Sequence, residues 1–320
     1  MSSPDLDLVV AGDCNPDVII ADDDLAPAFG QRERLVDTMS LVIGGSAAIT
    51  AVAAARLGLR VALVAAVGDD AAGELMLALL RREGVDVGAV VIRPGQATGM
   101  TTVLSRGADR AILTAPGAIG TLTRADVPAD LIRRARHLHV SSYFLVQSAL
   151  GPGLAPLLAA AREHGIGTSL DTNDDPEGLW GGERLRAVIA QADVFLPNEA
   201  EALAIAGVPD LDAATGVLSR AGRAVVVKLG ARGALCASEQ SVGRIVSVPP
   251  VVPADTTGAG DCFNAGLIAG LLRGLELPQA AALGCAVGAL STQGIGGTGA
   301  RVDMAAATRL AERAARPASY

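Results

Sequence analysis

Residues Asp255-Thr-Thr-Gly-Ala-Gly-Asp261 spend seven positions on two carboxylates, two hydroxyls and three small residues. They run directly into Cys262-Phe-Asn-Ala-Gly-Leu-Ile-Ala-Gly-Leu-Leu272, an apolar stretch whose spacing predicts a helix. The first N–H groups of such a helix have no partner within it, and the helix dipole adds partial positive charge at the same end. An anion fits that junction. Gly258, Ala259 and Gly260 keep bulk away from it, so a phosphate can approach the backbone, and Asp261 sets a carboxylate beside it. A base next to an anion hole is equipment for phosphoryl transfer. The plainer alternative is that Thr257 or Asp261 is only an N-cap, but a cap needs one polar residue and this segment commits far more.

Asp255 to Ile268 also resembles, position by position, the C-terminal signature of the ribokinase-like (PfkB) carbohydrate kinases. The likeness extends over nearly the whole chain. It implies an ATP-dependent kinase needing Mg²⁺, with Asp261 as catalytic base, Gly258 to Gly260 as anion hole and Thr257 beside the nucleotide phosphates.

Other segments supply the remaining parts. Gly12-Asp-Cys-Asn-Pro-Asp17 follows the first apolar run, where ligands bind at the carboxyl edge of a parallel sheet. Asp17 can accept hydrogen bonds from two neighbouring hydroxyls, or serve as a turn residue after Pro16. The resemblance makes Asp17, with Asn15, the grip on a sugar. Gly44-Gly45-Ser46 opens a helix and admits either a ligand or a tight turn. It looks like the family's N-terminal glycine signature, except that Ile49 stands where many sugar kinases carry Asn, which removes one amide from the acceptor side.

Asn198-Glu-Ala-Glu201 fits a capping box, and it also resembles a family motif in which the two residues organise nucleotide phosphates and water-bound Mg²⁺. Lys228-Leu-Gly-Ala-Arg-Gly233 resembles the nucleotide-side loop: Lys228 could meet a phosphate, Gly230 and Gly233 shape the turn, and Arg232 suits a solvated position. Asp171-Thr-Asn173, with Trp180 downstream, resembles a further sugar-side segment, ranked below Asp17. Gly294-Ile-Gly-Gly-Thr-Gly299 matches a dinucleotide glycine pattern, but it follows a helix and no acidic residue ends a second strand about twenty residues on. The resemblance makes it instead a loop that, with Asp255, holds a monovalent cation such as K⁺. No Walker A sequence occurs.

With 320 residues, 50% hydrophobic, the chain can bury one large core, and a single ribokinase-like kinase domain over 1–320 is expected. A net charge of −8, 2% aromatic residues and no basic cluster argue against nucleic-acid binding. No stretch of about eighteen apolar residues lacks a charge or turn former, and the N-terminus has no signal-like pattern, so no membrane partner and a cytoplasmic location are expected. Cys14, Cys236, Cys262 and Cys285 are scattered and read as buried thiols. His137 and His139 lie within one apparent strand without a supporting ligand cluster, so a structural role is favoured over a metal.

Strand-like and helical stretches alternate for most of the length: Leu6 to Ala11, Ser46 to Leu57 closed by Gly58, Val61 to Val67, Ala71 to Glu83 closed by Gly84, then strands at 138–141, 167–171, 194–197 and 224–229. This predicts an α/β fold with a mostly parallel, Rossmann-like sheet covered by helices on both faces. Two stretches, about 17–43 and 90–115 with its turn at 106–109, break the alternation and read as a small β-sheet lid. The resemblance implies that the lid covers the sugar and carries a homodimer contact.

The expected activity is phosphorylation of an alcohol on a small sugar of the ribose, fructose or 2-keto-3-deoxygluconate class. A nucleoside acceptor stacked on Phe29 or Phe144 is the alternative within the same chemistry. A non-catalytic sugar- or nucleotide-binding regulator is the alternative outside it, and the carboxylate at Asp261 counts against that reading.

Overall fold

The computed structural model describes residues 4–27, 29–106, 109–221, 224–238 and 241–315. Among them the main sheet has eight strands, in the order Ser241–Val246, Ala234–Ser238, Ala224–Lys228, Val194–Phe195, Gly167–Leu170, His137–Val140, Leu8–Ala11, Val61–Val64. Pairing is parallel from Val61–Val64 to Ala224–Lys228, and the last two strands at the opposite edge run antiparallel. The chain winds outward in both directions from Leu8–Ala11, which leaves a reversal of strand order between that strand and His137–Val140.

Side-chain alternation shows that both faces of this sheet are covered. Leu8, Val10, Val61, Leu63 and Val226 enter one apolar cluster, while Val9, Ala11, Ala62, Val64, Val225 and Val227 enter the other. That is why these strands read as continuous apolar runs. The helices end where glycine allows it: Gly58 and Gly84 sit at φ 89° and 81°, directly after the last helical turn. The N–H groups of Leu59 and Val85 then donate back to Ala54 O and Leu80 O, which closes both helices in the Schellman manner.

Helices Ala259–Leu272 and Leu277–Ser291 lie side by side. A methyl group on Gly266 would come within 2.9 Å of Gly284 Cα, and one on Gly288 within 2.9 Å of Ala259 O. The small-residue stripe therefore sets the depth to which the site-bearing helix is buried.

The stretches that break the alternation form a separate four-stranded sheet: Thr38–Gly44, Asn15–Ala21, Met100–Arg106 and Asp109–Ala115, in that order. The expected lid boundaries change in one respect. Val91–Arg93 pairs with Ala66–Gly68 in a two-stranded parallel sheet of its own, because Ala66–Gly68 continues the chain beyond Val64. Of the turn expected at 106–109, residues 107 and 108 lie outside the described residues. Among the described residues no single helix is long and apolar enough to cross a membrane.

Candidate active site

The parallel sheet delivers five segments to one edge. Gly12 to Asp17 leaves Leu8–Ala11, Ser141 and Ser142 leave His137–Val140, and Asp171 to Asn173 leaves Gly167–Leu170. Asn198 follows Val194–Phe195, and Lys228 ends Ala224–Lys228. Strand polarity alone brings them together, since the carboxyl ends of parallel strands share an edge.

Gly258 is the N-cap of Ala259–Leu272 and adopts φ 72°, a left-handed conformation that favours glycine. Ala259 N–H turns back to Thr256 O at 3.3 Å. Among the described residues no protein acceptor takes the N–H of Gly258, Gly260 or Asp261. The open donors thus differ from the expected Gly258 to Gly260 set in one member, Asp261 in place of Ala259, because the Ala259 N–H belongs to the preceding turn. Lys228 reaches the same place: a methyl group on Gly260 would lie 3.6 Å from its Nζ. The turn is tied by Asp255, whose Oδ1 accepts from Thr257 N (2.9 Å) and Oγ1 (2.8 Å) and whose Oδ2 accepts from Gly296 N–H at 2.7 Å.

Asp261 is buried, one turn into the helix. Burial lifts its carboxyl well above the usual range, the Asp171 carboxylate adds to this, and Lys228 pulls the other way. Asp171, also buried, accepts through Oδ2 from Lys228 Nζ and from Asn264 Nδ2. Lys228, which could meet a phosphate, is anchored on Asp171 beside the anion turn. Burial opposes its charge, but Asp171, Glu201 and Asp261 together outweigh that and hold its pKa above the ordinary lysine value. Asp171, ranked below Asp17 from sequence, is therefore central.

Glu201 and Asn198 form the capping box the sequence predicts: Asn198 Oδ1 accepts from Glu201 N–H (2.9 Å), and Glu201 Oε2 accepts from Asn198 N–H (2.9 Å). Burial and the nearby Asp171 charge push Glu201 up to about 7. Three carboxylates, Asp171, Glu201 and Asp261, thus share one ammonium. Such a surplus of buried negative charge suits a divalent cation arriving with a polyphosphate.

On the other side of the turn, Asp17 is buried and accepts from Asn15 Nδ2 at 3.0 Å. Burial, with the Asp13 charge next, pushes it up to about 7. Asn15 also donates to Thr101 Oγ1 of the small sheet at 3.1 Å. A methyl group on Gly44 would overlap the Asp17 carboxylate at 1.8 Å, so the first glycine of the pair makes room for Asp17. Gly45, at φ 81°, is the N-cap of Ser46–Arg56. Ser46 Oγ accepts from Asn173 Nδ2 at 2.7 Å, and Asn173 Oδ1 accepts from Ser142 N–H at 3.1 Å. Ser142 and Asn173 both hold positive φ, 55° and 56°, a strained backbone concentrated at the site.

Ile49 does not simply delete an amide. It is 3% exposed, and methyl groups placed on Gly258 and Gly297 would press on its side chain at 3.2 and 2.7 Å. It is the apolar floor beneath the anion turn. Gly230 and Gly233, at φ 59° and 97°, shape a short turn after Lys228. Arg232 pairs there with Glu199 on the surface instead of standing alone in solvent. The His137 and His139 rings flank Ser169 Oγ at 2.8 Å each, and burial pushes them down to about 3 and about 4, so both are neutral core residues. Phe144 packs edge-on to Tyr143 and Trp180 at centroid distances of 5.3 and 5.8 Å, while Phe29 is 96% exposed.

Sequence reasoning passed over three contributors. Asp13 accepts from Ser46 N–H (3.0 Å) and Ala47 N–H (2.9 Å), capping the glycine-led helix from a distant segment. Asn264 lies three residues after Asp261 on the same helix face, a spacing that could have flagged it. Arg110, on the small sheet, donates from Nη1 to Thr256 Oγ1 (3.3 Å) and Thr257 Oγ1 (3.5 Å) and so links that sheet to the turn.

Comparison with known proteins shows the family and the fold. The model of the pfkB family carbohydrate kinases matches residues 5–303. A ribokinase of Haemophilus influenzae is 28% identical over 89% of this chain and 91% of its own length. A 2-dehydro-3-deoxygluconokinase of Bacillus subtilis is 31% identical over 82% and 84%. A structure from E. coli solved in complex with ATP and Mg²⁺ superposes with a TM-score of 0.82 over 96% of this chain and 99% of that one, at 24% identity. With the family signature at a helix start that leaves N–H groups open and the match spanning both sheets, the chain belongs to the PfkB family of carbohydrate kinases.

Proposed function

We propose that the chain transfers the γ-phosphoryl group of ATP to an alcohol of a small sugar, with Asp261 as general base. The observation that carries this reading is the juxtaposition of a buried carboxylate of raised pKa with the open N–H groups of Gly258, Gly260 and Asp261. A carboxylate of raised pKa accepts a hydroxyl proton more readily than an ordinary Asp. Asp17 and Asn15 orient the acceptor hydroxyls, with Gly44, Gly45 and Ser46 leaving space and Asn173 steadying Ser46. The N–H groups of the turn and the ammonium of Lys228 face the charge that develops on the transferring oxygens. Asn198 and Glu201, near Asp171, would hold Mg²⁺ through its waters, and the ion would neutralise charge on the triphosphate. Arg110 ties the small sheet to the turn beside the reacting centre.

Phe144 spends its ring on Tyr143 and Trp180, which favours a sugar over a nucleoside as acceptor. Met39, Leu41 and Leu113, on one face of the small sheet by its register, expose an apolar surface, which supports a homodimer formed through it. Four buried free thiols suit a reducing cytoplasm. A panel of pentoses, hexoses, keto-acid sugars and nucleosides assayed for ADP release tests the assignment: acceptor-dependent release with a sugar is expected, and release with none of them contradicts it.

A further inference from the structure

The register of the small sheet decides which of its side chains face the site. Asp17 lies opposite Thr101 and Thr101 opposite Thr114, and four residues further along each strand Ala21, Ser105 and Arg110 align in the same way. An even spacing keeps side chains on one face of a strand, so Arg110 shares the face of Asp17. That face is the one turned to the site. Asp17, Ile19 and Val103 on it are buried, and a methyl group on Gly296 would come within 3.2 Å of Ile19 Cδ1. Arg110 extends from this inner face, and its Nη1 lies 3.3 Å from Thr256 Oγ1 and 3.5 Å from Thr257 Oγ1, directly before the open N–H of Gly258.

We propose that Arg110 is a catalytic residue supplied by the small sheet: its guanidinium passes from the two threonine hydroxyls to the γ-phosphoryl group of ATP and holds it against the open N–H groups of Gly258, Gly260 and Asp261. The proposal rests on the kinase reading above and adds a residue to it.

Both contacts of Nη1 are long for a charged donor, and both acceptors are neutral hydroxyls. A phosphoryl oxygen makes shorter bonds to a guanidinium, about twice as strong, so exchange of the hydroxyls for an anion is favourable. The charge around the turn calls for such a cation. Asp255 and Asp261 stand at the two ends of the segment, the N–H groups between them carry only partial positive charge, and the Lys228 ammonium is bound to Asp171. In the transfer, the acceptor oxygen bonds to the γ-phosphorus as the bond from that phosphorus to the β–γ bridging oxygen breaks. The acceptor proton passes to Asp261, and ADP leaves with the electron pair of the broken bond. Arg110 faces the equatorial oxygens, over which charge is spread in a loose transition state. Its planar fork can meet two of them together, which a lysine cannot. Asp17 is on the same sheet face, so one element both grips the acceptor and brings the cation to the phosphoryl group.

The test is calorimetric titration of the full-length protein with Mg²⁺–AMP-PNP and with Mg²⁺–ADP, alongside ADP release with an active acceptor. Arg110 is exposed on an edge strand, so its variants should fold as the wild type does. Arg110→Met should weaken AMP-PNP binding by about tenfold, leave ADP binding within about twofold, and lower kcat by about 10²-fold with the acceptor KM in place. Arg110→Lys should recover only part of that turnover. Thr256→Val removes a hydroxyl tie to the sheet and no charge, so its turnover should stay within about threefold of wild type. If Arg110 only fastened the small sheet to the turn, Thr256→Val and Arg110→Met would lose turnover alike, and that result overturns the proposal. Unchanged AMP-PNP affinity in Arg110→Met also overturns it, as does an equal loss for ADP and AMP-PNP. The titrations need no acceptor, which separates the two claims: a wild type that binds neither nucleotide contradicts the kinase reading and this proposal with it, whereas an unaffected variant contradicts this proposal alone.

Discussion

Replacing Asp17 by Asn should make the free protein more stable and the acceptor bind more weakly. Asp17 is 6% exposed, and its pKa is pushed from 3.8 up to about 7 by burial, the Asp13 charge and, more weakly, Asp255. In the unfolded chain the carboxyl ionises near pH 4, whereas in the folded chain it keeps its proton until near pH 7. Between those values the folded state binds more protons, so stability contributed by this group is present below pH 4 and is lost as pH rises toward 7. A shift of roughly 3 units at ~1.4 kcal/mol each gives an upper bound of about 4 kcal/mol lost by pH 8. Asn is neutral at every pH and retains an oxygen for the Asn15 amide. At pH 8, Asp17→Asn should therefore melt roughly 3–6 °C above wild type, taking about 2 cal/mol/K of unfolding entropy per residue. At pH 4.5 the two should nearly coincide. Differential scanning calorimetry across that range gives the comparison, and calorimetric titration with an active sugar should show acceptor affinity falling by about tenfold or more. A melting difference that does not change with pH, or an Asn variant less stable at pH 8, refutes the reasoning.

Removing the Lys228 charge strands a buried carboxylate, so Lys228→Met should cost about 3–5 kcal/mol of stability. The double variant Lys228→Met/Asp171→Asn should recover much of it in denaturant melts, because Asp171 is the partner left behind. Glu201→Gln keeps one acceptor oxygen for the Asn198 N–H of the capping box but loses the charge, so the Mg²⁺ midpoint for activity should rise about tenfold with helix content unchanged by circular dichroism. Gly258→Ala forces a Cβ to 2.5 Å from Gly297 Cα at φ 72°. It should cost about 2–3 kcal/mol in denaturant titration and lower kcat while sparing the acceptor KM.

The parallel sheet was legible because strands buried on both faces form continuous apolar runs, and the helices because Gly58 and Gly84 mark their ends in one dimension. The anion turn was legible for a similar reason: its glycines, hydroxyls and carboxylates are consecutive. Contacts between distant segments were not. Nothing in the spacing places Asp171 under Lys228 or Asp13 at the start of Ser46–Arg56, since a strand-edge residue points where the topology sends it. Ile49 shows the limit from the other direction. A missing amide was visible in the pattern, while the close approach of Gly258 and Gly297 that an apolar side chain fills was not. Arg56 sits in the last turn of its helix, and no local pattern shows that it donates to loop carbonyls more than two hundred residues away.

The central claim, that Asp261 removes the acceptor proton beside the open end of its helix, is tested most directly by the turnover of Asp261→Asn with an acceptor that supports ADP release. The amide is nearly isosteric and removes a buried carboxyl whose pKa is raised, so the fold and nucleotide affinity should hold. Turnover should fall by about 10²-fold to 10⁴-fold, the range for losing a general base. In the wild type, kcat/KM should decline as pH drops through the raised Asp261 pKa, and the residual rate of the variant should lack that limb. An Asp261→Asn enzyme with near-normal turnover, or one that keeps the same acid limb, contradicts the account.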